Sequence, residues 1–296
     1  MEKFPLWTAI ITPMDYDGKI DYESFESIIR KQEEANNGVL FFGSTGEGLN
    51  LTSTEKREVI TFVKKLDLKV PIMAGLGGHD LSSQISFIQY CDEVGVDAFL
   101  LVTPIYAKPG KAGQLAWFKE LMSQTKTKCM VYNVPSRTGV HLNPEVPAQL
   151  FKEFDNYMGL KEASGDVEKF KAFRDAAPAA PLYCGDDSLI KEFTDEGAIG
   201  LVSVASNAWP KQTHKFLELH LNKQLDSVFT DWIAQADLFF DAPSPIPVKT
   251  LMQHKGWITT NTVRLPLSTE DLKVETEEAL LEADRKINLW IKKVTK

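Results

Sequence analysis

Ala98-Phe99-Leu100-Leu101-Val102, Cys129-Met130-Val131-Tyr132 and Met158-Gly159-Leu160 are the three short runs of residues 98–160 whose reading decides the fold. Each is nearly continuous in apolar character rather than alternating, which is what burial on both faces of a parallel sheet requires. Working outward, runs of the same kind recur at Leu6–Ile11, Val39–Phe42, Ile72–Gly75, Leu182–Cys184 and Ile199–Val202. Between them lie apolar residues at helical spacing, such as Phe25, Ile28, Ile29 and Gln32, then Val59, Ile60 and Val63, then Ile85, Ile88 and Tyr90-Cys91. Eight strand–helix units in about 220 residues predict an α/β chain folded as a (β/α)8 TIM barrel, a fold of about 250 residues. An open doubly wound sheet is the alternative. Against it, no GxGxxG follows the first strand, and Gly75-Leu76-Gly77-Gly78 lacks the third spacing.

After Val202 the alternation stops. Lys211–Phe240, Pro247–Lys255 and Thr269–Lys293 read as helices only, with Asp241-Ala242-Pro243-Ser244-Pro245-Ile246-Pro247 as a stiff connection, because each proline fixes its own φ and restricts its predecessor. The expected organisation is a barrel over 1–224 and a C-terminal helical domain over 225–296.

Lys and Arg number 33 against 41 Asp and Glu, a net charge of −8 in 296 residues, and no basic cluster interrupts it. Such a chain lacks the field that holds nucleic acid or an anionic membrane surface. No apolar run reaches the roughly 20 residues of a membrane span, and Met1-Glu2-Lys3-Phe4-Pro5 lacks a basic-then-apolar leader, so a cytoplasmic protein is expected. Cys91, Cys129 and Cys184 are widely spaced without a CxxC pair, and His79, His141, His214, His220 and His254 include no HxxxH or HxH. Neither a disulfide nor a metal site is expected.

In a barrel the chemistry sits where strands end and βα loops begin. Lys161 follows the sixth apolar run and precedes Glu162-Ala163-Ser164-Gly165-Asp166. A lysine directed into a barrel is costly unless it is paired or its pKa falls, and the fall makes it an amine nucleophile for carbonyl carbon. On position alone it also reads as a strand-end cation facing solvent or paired to Glu162. Tyr132 ends the fifth run and points at the same mouth, where a phenol can pass protons to a carbonyl substrate, although a core tyrosine has the same pattern. Arg137, on the following turn, has the planar fork that holds a carboxylate bidentately, or serves as a surface cation.

Phe42-Gly43-Ser44-Thr45-Gly46-Glu47-Gly48 can converge backbone N–H groups and two hydroxyls on a small anion, or serve as a turn before a helix capped by Thr52 or Ser53. It is not a P-loop, since no Gly-Lys-Ser/Thr follows. Thr103-Pro104-Ile105-Tyr106 closes the fourth run. In Gly185-Asp186-Asp187, after the seventh, one aspartate is expected to cap the next helix.

Taken together, the segments Ala9-Ile10-Ile11-Thr12-Pro13-Met14, Gly43-Ser44-Thr45-Gly46-Glu47, Thr103-Pro104-Ile105-Tyr106, Tyr132 to Gly139, Leu160 to Gly165 and Pro245-Ile246-Pro247-Val248-Lys249 resemble the pyruvate-dependent class I aldolase family, which includes N-acetylneuraminate lyase. They occur in the family's order across most of the chain. The resemblance implies that Lys161 forms a Schiff base with pyruvate, that Thr45 and its loop amides hold the pyruvate carboxylate, and that Tyr132 relays protons through Ser44 to Tyr106. It implies that Tyr106 is supplied by a neighbouring subunit across a tight dimer, in a dimer or dimer of dimers. It further implies that Arg137 binds the carboxylate of L-aspartate 4-semialdehyde, that the backbones of Gly185 and Val202 line the pocket, and that no cofactor or metal is needed. The implied reaction is condensation of the two substrates to 4-hydroxy-tetrahydrodipicolinate, in lysine and diaminopimelate biosynthesis.

Two departures matter. Ser44 stands where the semialdehyde-condensing branch usually has threonine and the sialic acid lyase branch serine; the hydroxyl is kept and a methyl is lost. Arg137 favours the semialdehyde, because a neutral sugar aldehyde such as that released from 2-keto-3-deoxygluconate or N-acetylneuraminate gains little from a cation. A non-catalytic scaffold is the remaining reading, and it conflicts with the presence of Lys161, Tyr132, Tyr106 and a hydroxyl at Ser44. Strong feedback inhibition by lysine is not expected. Lysine-sensitive relatives use a glutamate whose place is taken by Ser83, and Lys56 adds a like charge nearby.

Overall fold

Eight parallel strands close on one another in chain order: β1 (Leu6–Ala9), β2 (Gly38–Phe41), β3 (Ile72–Leu76), β4 (Ala98–Val102), β5 (Lys128–Asn133), β6 (Tyr157–Glu162), β7 (Leu182–Cys184) and β8 (Leu201–Ser203), with β8 pairing back onto β1. The computed structural model describes residues 4–224 and 229–294. Helices α1 (Tyr22–Glu34), α2 (Ser53–Lys65), α3 (Leu81–Val94), α4 (Lys111–Ser123), the short α5 (Pro135–Thr138), α6 (Glu145–Glu153), α7 (Val167–Ala176), α8 (Ile190–Asp195) and α9 (Pro210–Leu221) alternate with the strands. The chain is therefore the expected (β/α)8 barrel.

Local chemistry starts these helices where the barrel needs them. Asp21, Asp80 and Asp166 accept N–H groups of the first turns of α1, α3 and α7, and Thr52 forms a reciprocal capping box with Glu55 on α2. Each strand divides its side chains between two cores. Trp7, Leu40, Met73, Leu100, Met130, Tyr132, Tyr183 and Val202 fill the barrel, while the opposite faces pack under the helices. Trp7 and Tyr183 fit because glycines face them: a Cβ on Gly38 would sit 2.7 Å from the Trp7 ring, and one on Gly200 2.7 Å from the ring of Tyr183.

Beyond β8 the tail is helical, as expected, with α10 (Phe229–Asp237), α11 (Ile246–His254) and α12 (Val274–Val294). The details differ from the sequence reading. Ile246 and Pro247 belong to the first turn of α11 rather than to the connection, since proline's missing N–H costs nothing there. The last segment is interrupted: Ser268 caps a 3₁₀ turn at Thr269–Asp271, and the long helix starts only at Val274. The boundary placed between 224 and 225 falls at residues 225–228, outside the described residues. No helix among the described residues is long and apolar enough to cross a membrane.

Candidate active site

Strands β5 and β6 run in register with Tyr132 opposite Lys161 and Asn133 opposite Glu162. The period of two then sorts the four side chains. Asn133 and Glu162 turn to the helix side, where the Asn133 amide donates to Glu162 Oε2 at 2.6 Å and the Ser164 N–H donates to Oε1 at 2.8 Å. Tyr132 and Lys161 turn inward, and Lys161 Nζ lies 4.3 Å from the centroid of the tyrosine ring. Lys161 is inside β6 rather than after it, because its outward neighbour Glu162 is fully satisfied and does not end the ladder.

Lys161 is only 6% exposed and forms no ion pair among the described residues. Burial, reinforced by the Arg137 charge and opposed by Asp187, lowers its pKa from the ordinary 10.5 to about 8. Burial pushes the Tyr132 phenol up to about 12, so the ring keeps its proton at neutral pH. Gly185 is packed against the lysine stem: a Cβ there would lie 2.8 Å from Lys161 Cε. Val202 belongs to the same inner cluster as Tyr132. Asp186 caps the 3₁₀ turn after β7 through the Ser188 N–H, as expected for one of this pair. Asp187 is buried and accepts from the Ser203 hydroxyl and from the N–H groups of Val204 and Ala205; burial raises it to about 6.

A cavity of roughly 220 Å³ opens at the carboxyl ends of these strands, lined among others by Gly43, Ser44, Tyr132, Arg137, Thr138 and Ser244. Its wall at Gly43, Ser44, Glu47 and Gly48 follows β2 in a tight turn, in which Glu47 N–H bonds to Ser44 O and Gly48 N–H to Gly43 O. Among the described residues the N–H groups of Ser44 and Thr45 have no acceptor. Thr45 is buried, and its Oγ1 accepts from Ser244 Oγ at 3.4 Å. Arg137 is exposed on α5 at the rim.

Lys161, Tyr132, Gly185 and Val202 are thus brought together, Ser44 and Arg137 line the opening, and Thr45 is buried behind Ser44. Tyr106 does not join them. It is 92% exposed with φ +67°, and among the described residues no hydrogen bond links it, Ser44 and Tyr132. Two residues that carry the geometry had no sequence-based role: Ser244, and the buried Glu47 that pairs with Lys249. Both lie in segments already noted for their motifs, but only the fold shows that those segments meet.

The model of the dihydrodipicolinate synthetase family matches residues 4–283. The chain is 45% identical over 288 residues to the 4-hydroxy-tetrahydrodipicolinate synthase of Francisella philomiragia, covering 96% of each. Among solved structures it is similar to the 4-hydroxy-tetrahydrodipicolinate synthase of Methylacidiphilum fumariolicum (28% identity, TM-score 0.92, 98% and 99% covered). It is also similar to the chloride-inhibited dihydrodipicolinate synthase of Acinetobacter baumannii complexed with pyruvate (31% identity, TM-score 0.89, 96% and 99% covered). A barrel with an unpaired lysine against a tyrosine, matched over nearly its whole length by such relatives, belongs to the dihydrodipicolinate synthetase family.

Proposed function

We infer that this chain condenses pyruvate with L-aspartate 4-semialdehyde to give 4-hydroxy-tetrahydrodipicolinate. The observation that carries the reading is the buried amine of Lys161, unpaired and set against Tyr132, a ring that lines the cavity edged by Arg137. With a pKa of about 8, roughly a quarter of the amine is free at pH 7.5, against about a thousandth at the ordinary value.

Lys161 Nζ adds to the pyruvate carbonyl carbon, and loss of water leaves a protonated imine. The imine withdraws the C–H bonding electrons when a methyl proton leaves, giving an enamine. Its terminal carbon attacks the semialdehyde carbonyl, and the new oxygen takes a proton. The amino group of the second substrate then displaces Lys161 from the imine carbon, which closes the ring and frees the amine. Tyr132, protonated because of its burial, is placed to donate and recover these protons. The two free N–H groups and the Thr45 hydroxyl suit the pyruvate carboxylate, and Arg137 suits the carboxylate of the semialdehyde. Each of these roles rests on position and chemistry.

Tyr106 completes the relay from a partner subunit in this reading, within a tight dimer or a dimer of dimers; its exposure in the single chain supports that. The reaction takes place in the cytoplasm, a setting that suits three buried free cysteines. The test is product analysis of purified protein given pyruvate with either L-aspartate 4-semialdehyde or a neutral sugar aldehyde. Turnover confined to the semialdehyde is expected, and turnover of the sugar aldehyde alone contradicts the substrate assignment.

A further inference from the structure

Glu47 and Lys249 are 202 residues apart in sequence, and theirs is the only ion pair among the described residues with both side chains fully buried, at 2.5 Å. Glu47 belongs to the turn that carries Ser44 and Thr45, and it lines the same cavity. The turn is tightly constrained. Phe42 and Glu47 have φ of +61° and +52°, Thr12 Oγ1 holds Gly46 O at 2.7 Å, and a Cβ on Gly48 would fall 2.0 Å from Phe42 O.

This turn therefore holds two opposed features. Two unpaired N–H groups and a hydroxyl can serve an anion, yet a buried carboxylate sits two residues along the chain. In a desolvated setting like charges at such range repel strongly. The C-terminal segment removes the conflict. Lys249, on α11, places its ammonium on Glu47 Oε1 and also donates to Thr262 O at 2.7 Å. The Arg264 N–H takes Oε2 at 2.8 Å, while the Arg264 guanidinium is engaged by Glu55 and by the carbonyls of Gly18 and Asn50. Ser244, just before α11, reaches Thr45 itself.

We propose that Lys249 is a positioning residue for the substrate: by neutralising Glu47 it makes the Ser44–Thr45 turn an anion acceptor, so the C-terminal helices are part of the pyruvate site. The proposal rests on the reading that pyruvate binds this turn as its carboxylate. It assigns a sign to each charge. Pyruvate affinity follows the charge left beside Thr45, not the integrity of the pair.

The experiment measures the pyruvate concentration for half-maximal borohydride trapping in the full chain and in Lys249→Met, Glu47→Gln and the double variant, with circular dichroism to verify folding. Affinity is expected to rank Glu47→Gln first, the double variant next and Lys249→Met last, with Lys249→Met about 30-fold weaker than the parent. A purely structural staple would weaken both single variants alike; that result, or a double variant no better than Lys249→Met, overturns the proposal. Should Lys249→Met not fold, the other two carry the test, since neither buries an unpaired anion, and weaker binding by Glu47→Gln than by the double variant overturns it. Absence of trapping at Lys161 in the parent chain is a different failure, that of the pyruvate reading itself.

Discussion

Two lysines are buried among the described residues, Lys161 in the barrel and Lys249 on the C-terminal α11, and they do opposite things. Lys249 is 0% exposed and clamped between a carboxylate and a carbonyl, so although burial lowers its pKa, the Glu47 charge works against that fall. Lys161 is nearly as buried, yet its closest partner is the face of Tyr132, and the nearby Arg137 charge adds to the effect of burial. A ring face offers a cation far less than an anion does. Burial alone does not make a nucleophile; burial without a carboxylate in contact does.

The strongest way to break this contrast is to exchange roles. Lys161→Ala should lower kcat about 1,000-fold or more and abolish borohydride trapping by pyruvate, with Lys249 unable to substitute although it is also a buried amine. Steady-state rates and intact mass check both points. A smaller effect is expected at the rim. Arg137→Ala should reduce kcat/KM for L-aspartate 4-semialdehyde about 10- to 150-fold, the equivalent of a charge-assisted pair worth about 1.5–3 kcal/mol, while pyruvate trapping changes less than about threefold. Equal losses in both steps would make Arg137 structural.

Stability should separate the lysines with opposite signs. Lys249→Met strands the Glu47 carboxylate, at a cost of about 3–5 kcal/mol and a fall in Tm of about 10 °C. Lys161→Met removes a buried, unpaired cation and should raise Tm by about 2–4 °C at pH 7. The folded pKa of Lys161, about 8, lies below its ordinary 10.5, so the unfolded chain binds the extra proton between those values. Wild-type stability attributable to this group therefore rises with pH from about 8 to about 10.5, and the advantage of Lys161→Met shrinks over the same window. Melting curves at pH 7 and 10 measure this, and an advantage that grew with pH would refute the assignment.

How far these features are legible in sequence depends on how local their cause is. The runs at Ala98–Val102 and Leu182–Cys184 coincide with β4 and β7 because a continuous apolar run, flanked by Asp97 and Thr103-Pro104 in one case and by Pro181 and Gly185 in the other, reports directly on burial. The first run overstates β1, since Ile10 and Ile11 remain apolar past the assigned strand, where Ile11 N–H bonds instead to the Asn207 side chain. The sixth understates β6, because a charged Lys161-Glu162 pair reads as a strand's end until Asn133 and the cavity account for it. The Glu47–Lys249 pair has no local signal: each half is an ordinary polar residue, and only the tertiary fold makes them neighbours.

The smallest effect is expected from lysine as an added ligand. Lys56 has its pKa lowered by burial, Ser83 itself brings no charge, and the Asp80 carboxylate beside it is already taken up by the hydroxyls of Ser82 and Ser83 and by the first-turn N–H groups of α3, so the ammonium of free lysine finds no uncommitted carboxylate there. Lysine at about 1 mM, which corresponds to about 4 kcal/mol of binding, should change the steady-state rate by less than about a fifth. Half-inhibition below that concentration would show that an anion reaches the site from elsewhere.

The contrast between the two lysines is tested most directly by borohydride trapping with pyruvate from about pH 6 to 9, followed by peptide mapping. The expected result is a single reduced adduct on Lys161, with Lys249 unmodified, and a trapping rate that rises about tenfold per pH unit before levelling near pH 8. An adduct on Lys249 or any other lysine, or a rate still climbing in proportion to hydroxide above pH 9, would contradict it.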